Sequence, residues 1–379
     1  MSLIAVGVAT CLFYVWLLWR LALLRKAPRL SRAGTAIGPE DFVSVVIAAR
    51  NEANTIEGTL RGLLAQEGVQ RIILVDDHSS DHTMLIAGNL AEGDPRLCVC
   101  QAPPLPGNWV GKNHALHYGA QQATSAYILF ADADVILSPD TVAMAVRAMK
   151  AEQLDHLSGY FCIQCKTVGE EICAPVQSAG AALTLFTTAK TRGAATGAFN
   201  LIRTEFYRRM GGHEQIKGAI VDDVFLARLV KTTGGRSSFV DLADRVHVRL
   251  FNGFRGFTSA VARSAFAFMK RRCILLMLAG AGLCSLGIIS VALPVAGVTR
   301  AANSGFSPVG VVAAVLGCMS YTLGLVCICS VRRYHTGRML WGIVYPLPIV
   351  LLGAATFWAG LMGLLGCRIH WRGRQYGPA

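Results

Sequence analysis

Long apolar runs stand at both ends of this chain, and its middle alternates short apolar runs with polar stretches. One run covers residues 2–19, and three more cover residues 273–299, 301–331 and 339–367, all without a charged side chain. Each is long enough to cross a hydrocarbon layer of about 30 Å. The pattern predicts an N-terminal transmembrane anchor, a globular middle and a C-terminal transmembrane region.

The globular middle alternates the patterns of strands and helices. Short β-branched or aliphatic runs predict strands at residues 43–48, 71–75, 97–100 and 127–130. Helical spacing of apolar residues predicts helices at residues 52–66, 83–90, 112–123 and 139–149. Strands that alternate with helices predict an α/β fold with a mostly parallel sheet.

A segment of mixed aromatic and basic residues precedes the first C-terminal run. It contains Phe254 and Phe257 beside Arg255 and Arg263. This mixture is typical of an amphipathic helix in the membrane interface, and a core helix of the globular domain would have a similar pattern. We therefore expect an anchor at 1–26, a catalytic domain at 40–250, an interfacial segment at 251–272 and about three spans with a basic tail at 273–379.

Basic residues flank the apolar runs and indicate the orientation. The first run is followed by a cluster of basic residues: Arg25, Lys26, Arg29 and Arg32. The positive-inside rule then places the N-terminus outside and the globular domain in the cytoplasm, at a cell inner membrane or plasma membrane.

The charge of the C-terminal tail conflicts with four complete crossings. Four crossings would leave the tail outside, yet it carries Arg368, Arg372 and Arg374, which favour the cytoplasm. The run at 339–367 contains two prolines, so we expect it to be the irregular segment, lying in the interface or re-entering.

Composition supports a membrane protein and argues against a nucleic-acid partner. Of the 379 residues, 53% are hydrophobic, the formal net charge is +13 and the mean hydropathy is +0.45. The basic residues lie beside apolar runs, which favours contact with an anionic membrane surface. No segment interleaves basic and aromatic residues as nucleic-acid readers do.

Three pairs of aspartates are the candidate chemistry. Asp76/Asp77 and Asp132/Asp134 each follow a predicted strand, and ligands of parallel α/β sheets bind beyond the carboxyl ends of the strands. Carboxylates spaced as Asp132 and Asp134 are suited to Mg²⁺ or Mn²⁺, which in turn binds phosphates. Taken singly, each pair is also explained by a solvated turn or a helix cap.

The other two pairs have separate expected roles. Asp76 or Asp77 can accept hydrogen bonds from a nucleotide base or ribose. Asp222 and Asp223 open a predicted helix, where an apolar setting and a neighbouring acid would raise a carboxyl pKa toward that of a general base. Neither a GxGxxG turn after the first strand nor a P-loop is present.

Together these residues resemble the family 2 glycosyltransferases, which are inverting enzymes with the GT-A fold. The resemblance covers about residues 43–270 and rests on four stretches in order: Val43–Glu52, Val75–Asp81, Asp132–Asp134 and Asp222–Asp223. The stretch Pro106–Leu116 is similar to one typical of membrane-bound lipid glycosyltransferases of the hopanoid-associated, carotenoid and ceramide glucosyltransferase groups. The stretches at 197–203 and 371–376 are similar to these groups as well.

The resemblance implies roles residue by residue. Glu52, Asp76 and Asp77 would contact the nucleotide, and Lys112 the nucleotide or its diphosphate. Asp132 and Asp134 would form the metal site, with Asp132 also facing the donor. Asp223 would be the catalytic base beside Asp222. Arg263 is also expected in the catalytic site, since it stands where processive relatives have QxxRW, but here the Gln and Trp are absent.

The implied reaction moves a sugar from a nucleotide sugar, expected to be a UDP-sugar, to a membrane lipid with inversion. An acceptor hydroxyl would give its proton to Asp223, whereas a carboxylate acceptor would need no base. The alternative is a polyprenyl-phosphate or polysaccharide glycosyltransferase of the same fold, and the missing QxxRW argues against the polysaccharide case. A non-catalytic scaffold and a DxD phosphatase fit the three aspartate pairs less well.

Overall fold

The structure is a computed structural model that describes residues 2–31, 37–268, 273–367, 369–371 and 374–376. Three of the basic residues used above for orientation, Arg32, Arg368 and Arg372, lie outside the described residues. The end of the predicted interfacial segment, which contains Lys270, Arg271 and Arg272, lies outside them as well.

The elements follow the predicted alternation closely. The strands are β1 Val43–Ala49, β2 Val69–Asp76, β3 Leu97–Gln101, β4 Tyr127–Phe130, β5 Val135–Leu137, β6 His156–Tyr160, β7 Cys162–Ile163, β8 Asn200–Arg203, β9 Ser237–Asp241, β10 Val246–Val248, β11 Ile369–Trp371 and β12 Arg374–Tyr376. The α-helices are α1 Ser2–Leu23, α2 Ile56–Leu64, α3 Thr83–Gly93, α4 Gly111–Gln121, α5 Thr141–Ala151, α6 Val168–Arg192, α7 Thr204–Arg209, α8 Asp222–Thr232, α9 Gly253–Phe268, α10 Cys273–Asn303, α11 Pro308–Ser330 and α12 Pro346–Leu364.

The chain forms two compact units. A sheet unit comprises residues 27–162 and 184–249, and a helical unit comprises residues 1–26, 163–183 and 250–379.

The sheet unit is built on a seven-stranded sheet with the order β3-β2-β1-β4-β8-β6-β9. Strands β1 to β4 are all parallel, β8 is antiparallel to both β4 and β6, and β6 is parallel to β9. The predicted mostly parallel GT-A sheet is thus confirmed. Because β2 and β4 are both parallel to the strand between them, β1, their carboxyl ends lie at the same edge of the sheet. The aspartate pairs at these two strand ends therefore lie at that edge.

Helix α4 packs closely on the strands that carry these pairs. At Gly119 a side chain would have no room, since a Cβ there would lie 2.5 Å from a methyl of Val46 on β1. Ala115 and Leu116 of the same helix are buried in the core. The first turn of α4 is thereby held near the carboxyl ends of the strands.

In the helical unit, α11 and α12 both run antiparallel to α10. A Cβ on Gly297 of α10 would lie 2.6 Å from the carbonyl oxygen of Ala313 on α11. A Cβ on Gly280 would lie 2.5 Å from the amide nitrogen of Phe357, and one on Gly287 would lie 2.8 Å from the carbonyl oxygen of Pro346. Glycines at these contacts let the helix backbones approach closely, as is common inside membranes.

Helix α12 begins part-way along its neighbours rather than at their ends. Residues Met339–Val344 form a 3-10 turn, and Tyr345 at its end contacts Gly324, which lies within α11. From there α12 runs back to the first turn of α10, where Gly360 meets Cys273. The run at 339–367 departs from an α-helix before α12, whereas Pro346 and Pro348 lie in the first turn of that continuous helix. That the segment lies in the interface or re-enters stays a prediction.

Helix α1 is also part of the helical unit. The Tyr14 side chain is 2% exposed, and its hydroxyl lies 2.8 Å from the Ser290 hydroxyl on α10. The Cys11 thiol donates to the carbonyl oxygen of Leu316 on α11 at 3.6 Å.

Five of the described helices are long and apolar enough to cross a membrane. Four match the predicted runs, and the fifth is Val168–Ala189 of α6. That stretch lies within residues 40–250, which were expected to form the globular domain, and Glu170, Glu171 and Pro175 interrupt its apolar pattern. The predicted interfacial segment is a helix, α9, with Phe257 fully buried and Phe254 exposed.

Candidate active site

The last residue of β2, Asp76, places a buried carboxylate at the edge of the sheet. Asp76 is fully buried, and its Oδ2 atom accepts a hydrogen bond of 3.0 Å from the backbone of Ser79. Its Oδ1 atom is buried and has no hydrogen-bond donor among the described residues. A buried carboxylate oxygen without a donor costs free energy, so this atom is suited to a ligand that brings an N–H or O–H group.

The loops after β1 and β2 are joined by hydrogen bonds. Asn51 adopts a left-handed backbone with φ of 56° and donates from its amide to the Ser79 hydroxyl at 3.0 Å. Its side-chain oxygen accepts from the backbone of Ser80 at 2.8 Å. The Arg50 guanidinium donates to the carbonyl oxygen of Asp77 at 2.7 Å. These bonds order the edge at which Asp76 and Asp77 were predicted to contact a nucleotide.

Glu52 belongs to the same pair of loops. Its backbone amide donates to the Thr83 hydroxyl at 2.8 Å, and its carboxylate accepts from the Thr55 hydroxyl at 3.0 Å. The residue is thus held between the loop after β1 and the start of α3, and its contact with a nucleotide stays a prediction.

Lys112 connects two of the predicted acidic pairs. Its ammonium lies 2.8 Å from Asp132 Oδ1 and 2.9 Å from Asp222 Oδ1. Lys112 is in the first turn of α4, Asp132 follows β4, and Asp222 begins α8. Residues more than a hundred positions apart in the chain are thus brought together at one point.

Asp132 lies against a segment that has no room for a side chain. Its amide donates to the carbonyl oxygen of Gly197 at 2.9 Å. A Cβ on Gly197 would collide with the Asp132 carboxylate. The glycine therefore allows the carboxylate to reach Lys112.

The electrostatics of this cluster favour one more positive charge. Burial lowers the pKa of Lys112, but the charges of Asp132, Asp222 and Asp223 outweigh it and raise that pKa above its usual value. Lys112 is thus a permanent cation facing three carboxyl groups. Burial raises the pKa of Asp222, and Lys112 opposes this rise.

Asp223 has the most informative pKa of the cluster. Burial, and after it the charge of Asp222, raises the pKa of Asp223 to about 7, although Lys112 acts in the opposite direction. One Asp223 oxygen also accepts from the backbone of Val224 at 2.7 Å. A carboxyl with this pKa can take up a proton efficiently near neutral pH.

Among the described residues, the predicted metal ligands Asp132 and Asp134 do not by themselves complete the coordination of a metal ion. Asp132 and Asp134 are both half-buried after β4. Within the described part of the chain, no group of three or more His, Cys, Asp or Glu side chains is arranged to hold a metal. A divalent ion fits the excess of carboxylates over cations, provided that a bound substrate or water supplies the remaining ligands.

Two residues near the cluster were missed by the sequence analysis. His213 is buried with its ring 4.6 Å from that of Phe130, and burial lowers its pKa to about 3, so it stays neutral. Asn113, next to Lys112, donates to backbone carbonyls of the segment before α8. The partners of Asn113 are about a hundred residues away, and the ring of Phe130 is distant from His213 in the chain, so no local pattern could reveal these contacts. Arg263, predicted to be in the site, lies on α9 of the helical unit, and its role stays a prediction.

The family described as Glycosyl transferase family 2 matches residues 44–170, which include the loops after β1, β2 and β4. The chain contains a family 2 glycosyltransferase domain. Of the stretches that carry the resemblance, the match includes those at the ends of β1, β2 and β4, whereas Asp222–Asp223 and the stretches at 197–203 and 371–376 lie outside it.

Two relatives of the glycosyltransferase domain extend the comparison. A 4,4'-diaponeurosporenoate glycosyltransferase from Staphylococcus aureus (strain MRSA252) is 26% identical over 189 residues, which are 48% of each chain. This chain thus matches about half the length of that relative. A mannosyltransferase from Pyrobaculum calidifontis, solved with GDP-Man and Mn²⁺, has a TM-score of 0.55 at 18% identity and covers 96% of this chain and 97% of its own. That similarity supports the fold.

Proposed function

We propose that this protein transfers a sugar from a nucleotide sugar to a membrane lipid, with inversion at the anomeric carbon. The observation that carries the proposal is the junction at Lys112, which joins Asp132 of the DxD pair to Asp222 beside Asp223. A site for this reaction needs a cationic place for a diphosphate and a nearby base for the acceptor, and this junction supplies both.

Asp223 is the proposed base. As the acceptor oxygen bonds to the anomeric carbon, its proton passes to the Asp223 carboxylate, and the bond from sugar to diphosphate breaks. The raised pKa of Asp223 favours this proton uptake near neutral pH. Lys112 would hold the negative charge that collects on the departing diphosphate.

Asp132 and Asp134 would hold a divalent cation, Mg²⁺ or Mn²⁺. When bound, such an ion neutralises charge on the diphosphate. The excess of carboxylates around Lys112 is the property of this chain that fits it.

The sheet edge at Asp76, Asp77 and Glu52 would bind the nucleoside. The buried Asp76 Oδ1 atom, which has no donor among the described residues, is suited to a base N–H or a ribose hydroxyl. We expect a UDP-sugar as the donor, as the sequence resemblance implies.

A lipid acceptor is supported by the membrane-type helices and by the carotenoid-type relative. The acceptor would be of hopanoid, carotenoid or sphingolipid type, and a polyprenyl phosphate or a polysaccharide would be the alternative acceptors for the same fold. The basic residues after α1 would face the anionic cytoplasmic surface of the membrane.

For the orientation, we propose that the sheet unit is cytoplasmic and that α12 does not complete a crossing. Because α11 and α12 are both antiparallel to α10, they run in the same direction. Helix α11 would return the chain to the side on which α10 begins, and α12 ends on that side as well. The C-terminal tail would then be cytoplasmic, in agreement with its basic residues.

The test is transfer in membranes that contain the full chain, supplied with radiolabelled UDP-sugars and extracted lipids. We expect a labelled lipid, and the Asp223→Asn variant should lose about 10²- to 10⁴-fold in rate while still binding UDP. Asp244→Asn is the matched control, because Asp244 is an exposed acid of the same unit with 61% side-chain exposure.

Two outcomes would contradict the proposal. Label found only in polymer would refute the lipid acceptor. Undiminished transfer by Asp223→Asn to a hydroxyl acceptor would refute Asp223 as the base.

A further inference from the structure

Asn113 is a buried amide beside the Lys112 junction. Its side chain is fully buried, and its Nδ2 atom lies 2.8 Å from the carbonyl oxygen of Ile216 and 2.9 Å from that of Ala219. A third carbonyl, that of Lys217, lies 3.2 Å away. One side chain thus binds three carbonyls of a four-residue segment.

The orientation of this amide is fixed by its surroundings. Only the NH₂ group can donate to carbonyl oxygens, so the Nδ2 atom must face the 216–219 segment. The Oδ1 atom is buried and has no donor among the described residues. An unsatisfied buried acceptor costs free energy, so the bonds made by Nδ2 have to compensate for it.

The segment that Asn113 holds leads directly into the proposed base. Ala219 is followed after two residues by Asp222 and Asp223, the first residues of α8. A backbone bond of 2.8 Å from the Val110 amide to the carbonyl oxygen of Lys217 holds the same segment from the start of α4. Lys112 holds Asp222 by its ion pair.

Three groups at the start of α4 therefore bind the chain between residues 216 and 222. They are the backbone amide of Val110, the ammonium of Lys112 and the side-chain amide of Asn113. Lys112 forms ion pairs with Asp132 and Asp222. A bound diphosphate would attract its ammonium group, and a bound metal would attract the carboxylates. The bonds of Asn113 go to backbone carbonyls and would persist when Lys112 exchanges partners.

We propose that Asn113 is a positioning residue for the transfer reaction, fixing the segment that carries Asp223 against the helix that carries Lys112. This rests on the proposed function of Asp223. Asn113 touches no substrate in this proposal: its side chain is fully buried, and its NH₂ group is engaged by the three carbonyls. A displacement of the base of about 1 Å can lower a rate about 10²-fold, so a positioning residue can matter as much as a reacting one.

The experiment compares Asn113→Ala with Gln66→Ala in the full-length protein in detergent. Gln66 is a matched control because it is also a buried amide that ties distant backbone segments, donating to Ser138 at 3.0 Å and accepting from Val142 at 3.2 Å. It lies among α2, β5 and α5, away from Lys112.

We expect both variants to lower Tm by similar amounts. Only Asn113→Ala should lower kcat, by about 10- to 100-fold, with the KM for the nucleotide sugar changed less than about twofold. Unchanged kcat in Asn113→Ala, an effect confined to KM, or an equal fall of kcat in both variants would overturn the proposal.

Hydrogen exchange separates this proposal from the function on which it rests. Amides of residues 216–223 should exchange faster in Asn113→Ala than in the natural chain, and not in Gln66→Ala. If the natural chain shows no transfer, the proposed function has failed, and faster exchange then still shows that Asn113 holds the segment. Exchange that is unchanged in Asn113→Ala overturns the positioning role whatever the activity.

Discussion

Opposing influences act on the Asp223 carboxyl group, and those that raise its pKa prevail. Burial and the charge of Asp222 favour its protonated form, and Lys112 favours its ionised form. The result is a pKa of about 7, about three units above that of a free aspartate. A base needs this raised pKa, because a carboxylate with an ordinary pKa accepts a proton poorly.

The first prediction concerns pH. Since Asp223 must be ionised to accept a proton, kcat for a hydroxyl acceptor should fall below pH 7, by about tenfold per pH unit. Above pH 7 it should reach a plateau, because the raised pKa of Lys112 keeps that group charged. The measurement is kcat with saturating donor between about pH 5 and pH 9.

A rate that stays constant down to about pH 5 would mean that no group with the raised pKa takes up the proton. It is also the result expected for a carboxylate acceptor, so the assay should use an alcohol and a carboxylic acid of similar chain length. A rate that falls at low pH with the alcohol but not with the carboxylic acid would support Asp223 as the group that removes the acceptor proton.

At the scale of elements, the contact between α10 and α12 depends on glycine. Gly280 and Gly287 of α10 and Gly353 of α12 face the partner backbone at distances that leave no space for a methyl group. Gly282, on the same helix, has nothing within 4 Å of an added Cβ. One side of α10 is therefore a packing surface and another is open.

The second prediction uses this difference. Gly287→Ala should lower the free energy of unfolding by about 1–3 kcal/mol, because the added methyl would meet Val350 at 2.6 Å. Gly282→Ala makes the same change on the open side and should leave stability unchanged or slightly higher. The measurement is Tm of the purified protein in detergent. Equal effects of the two changes would show that α12 does not pack on Gly287.

The sequence predicted the elements whose signals are local. Strands β1 to β4 and the aspartates after them were found because short apolar runs and the acids that follow them are adjacent in the chain. The helix α6 was missed, since Glu170 and Pro175 interrupt its apolar pattern. Its capacity to cross a membrane becomes visible only in the continuous helix.

The parts of the site that escaped prediction depend on long-range contacts. Lys112 was assigned to the donor by resemblance, but its bridge between Asp132 and Asp222 joins three separate elements. Asn113 had no signal at all, because its partners at 216 and 219 are about a hundred residues away.

At the scale of the whole chain, the direction of α12 determines where the C-terminus lies. Four complete crossings by the apolar runs would leave the C-terminal tail outside, whereas its basic residues favour the cytoplasm. In the proposed topology, parallel α11 and α12 remove this conflict, because the connection between them turns back only to the level of Gly324 before α12 runs in the direction of α11.

The third prediction tests this topology with fused reporters. A fluorescent protein that matures only in the cytoplasm should fluoresce at the C-terminus, and alkaline phosphatase should be inactive there. Fusion after residue 305, between α10 and α11, is the matched control and should give the opposite result. Phosphatase activity at the C-terminus would show that α12 completes a crossing.

The hydrogen bond between Tyr14 and Ser290 has a practical consequence for anyone who wishes to make a soluble version of this protein. Trimming the first helix would remove the ring that lies 6.3 Å from that of Tyr345 and the backbone oxygen that accepts from the Cys327 thiol. The shortened protein would lose these contacts and would expose the apolar surface of α10 and α11 that α1 covers, so it would aggregate or recruit detergent. A useful truncation would have to keep α1 or replace its contacts.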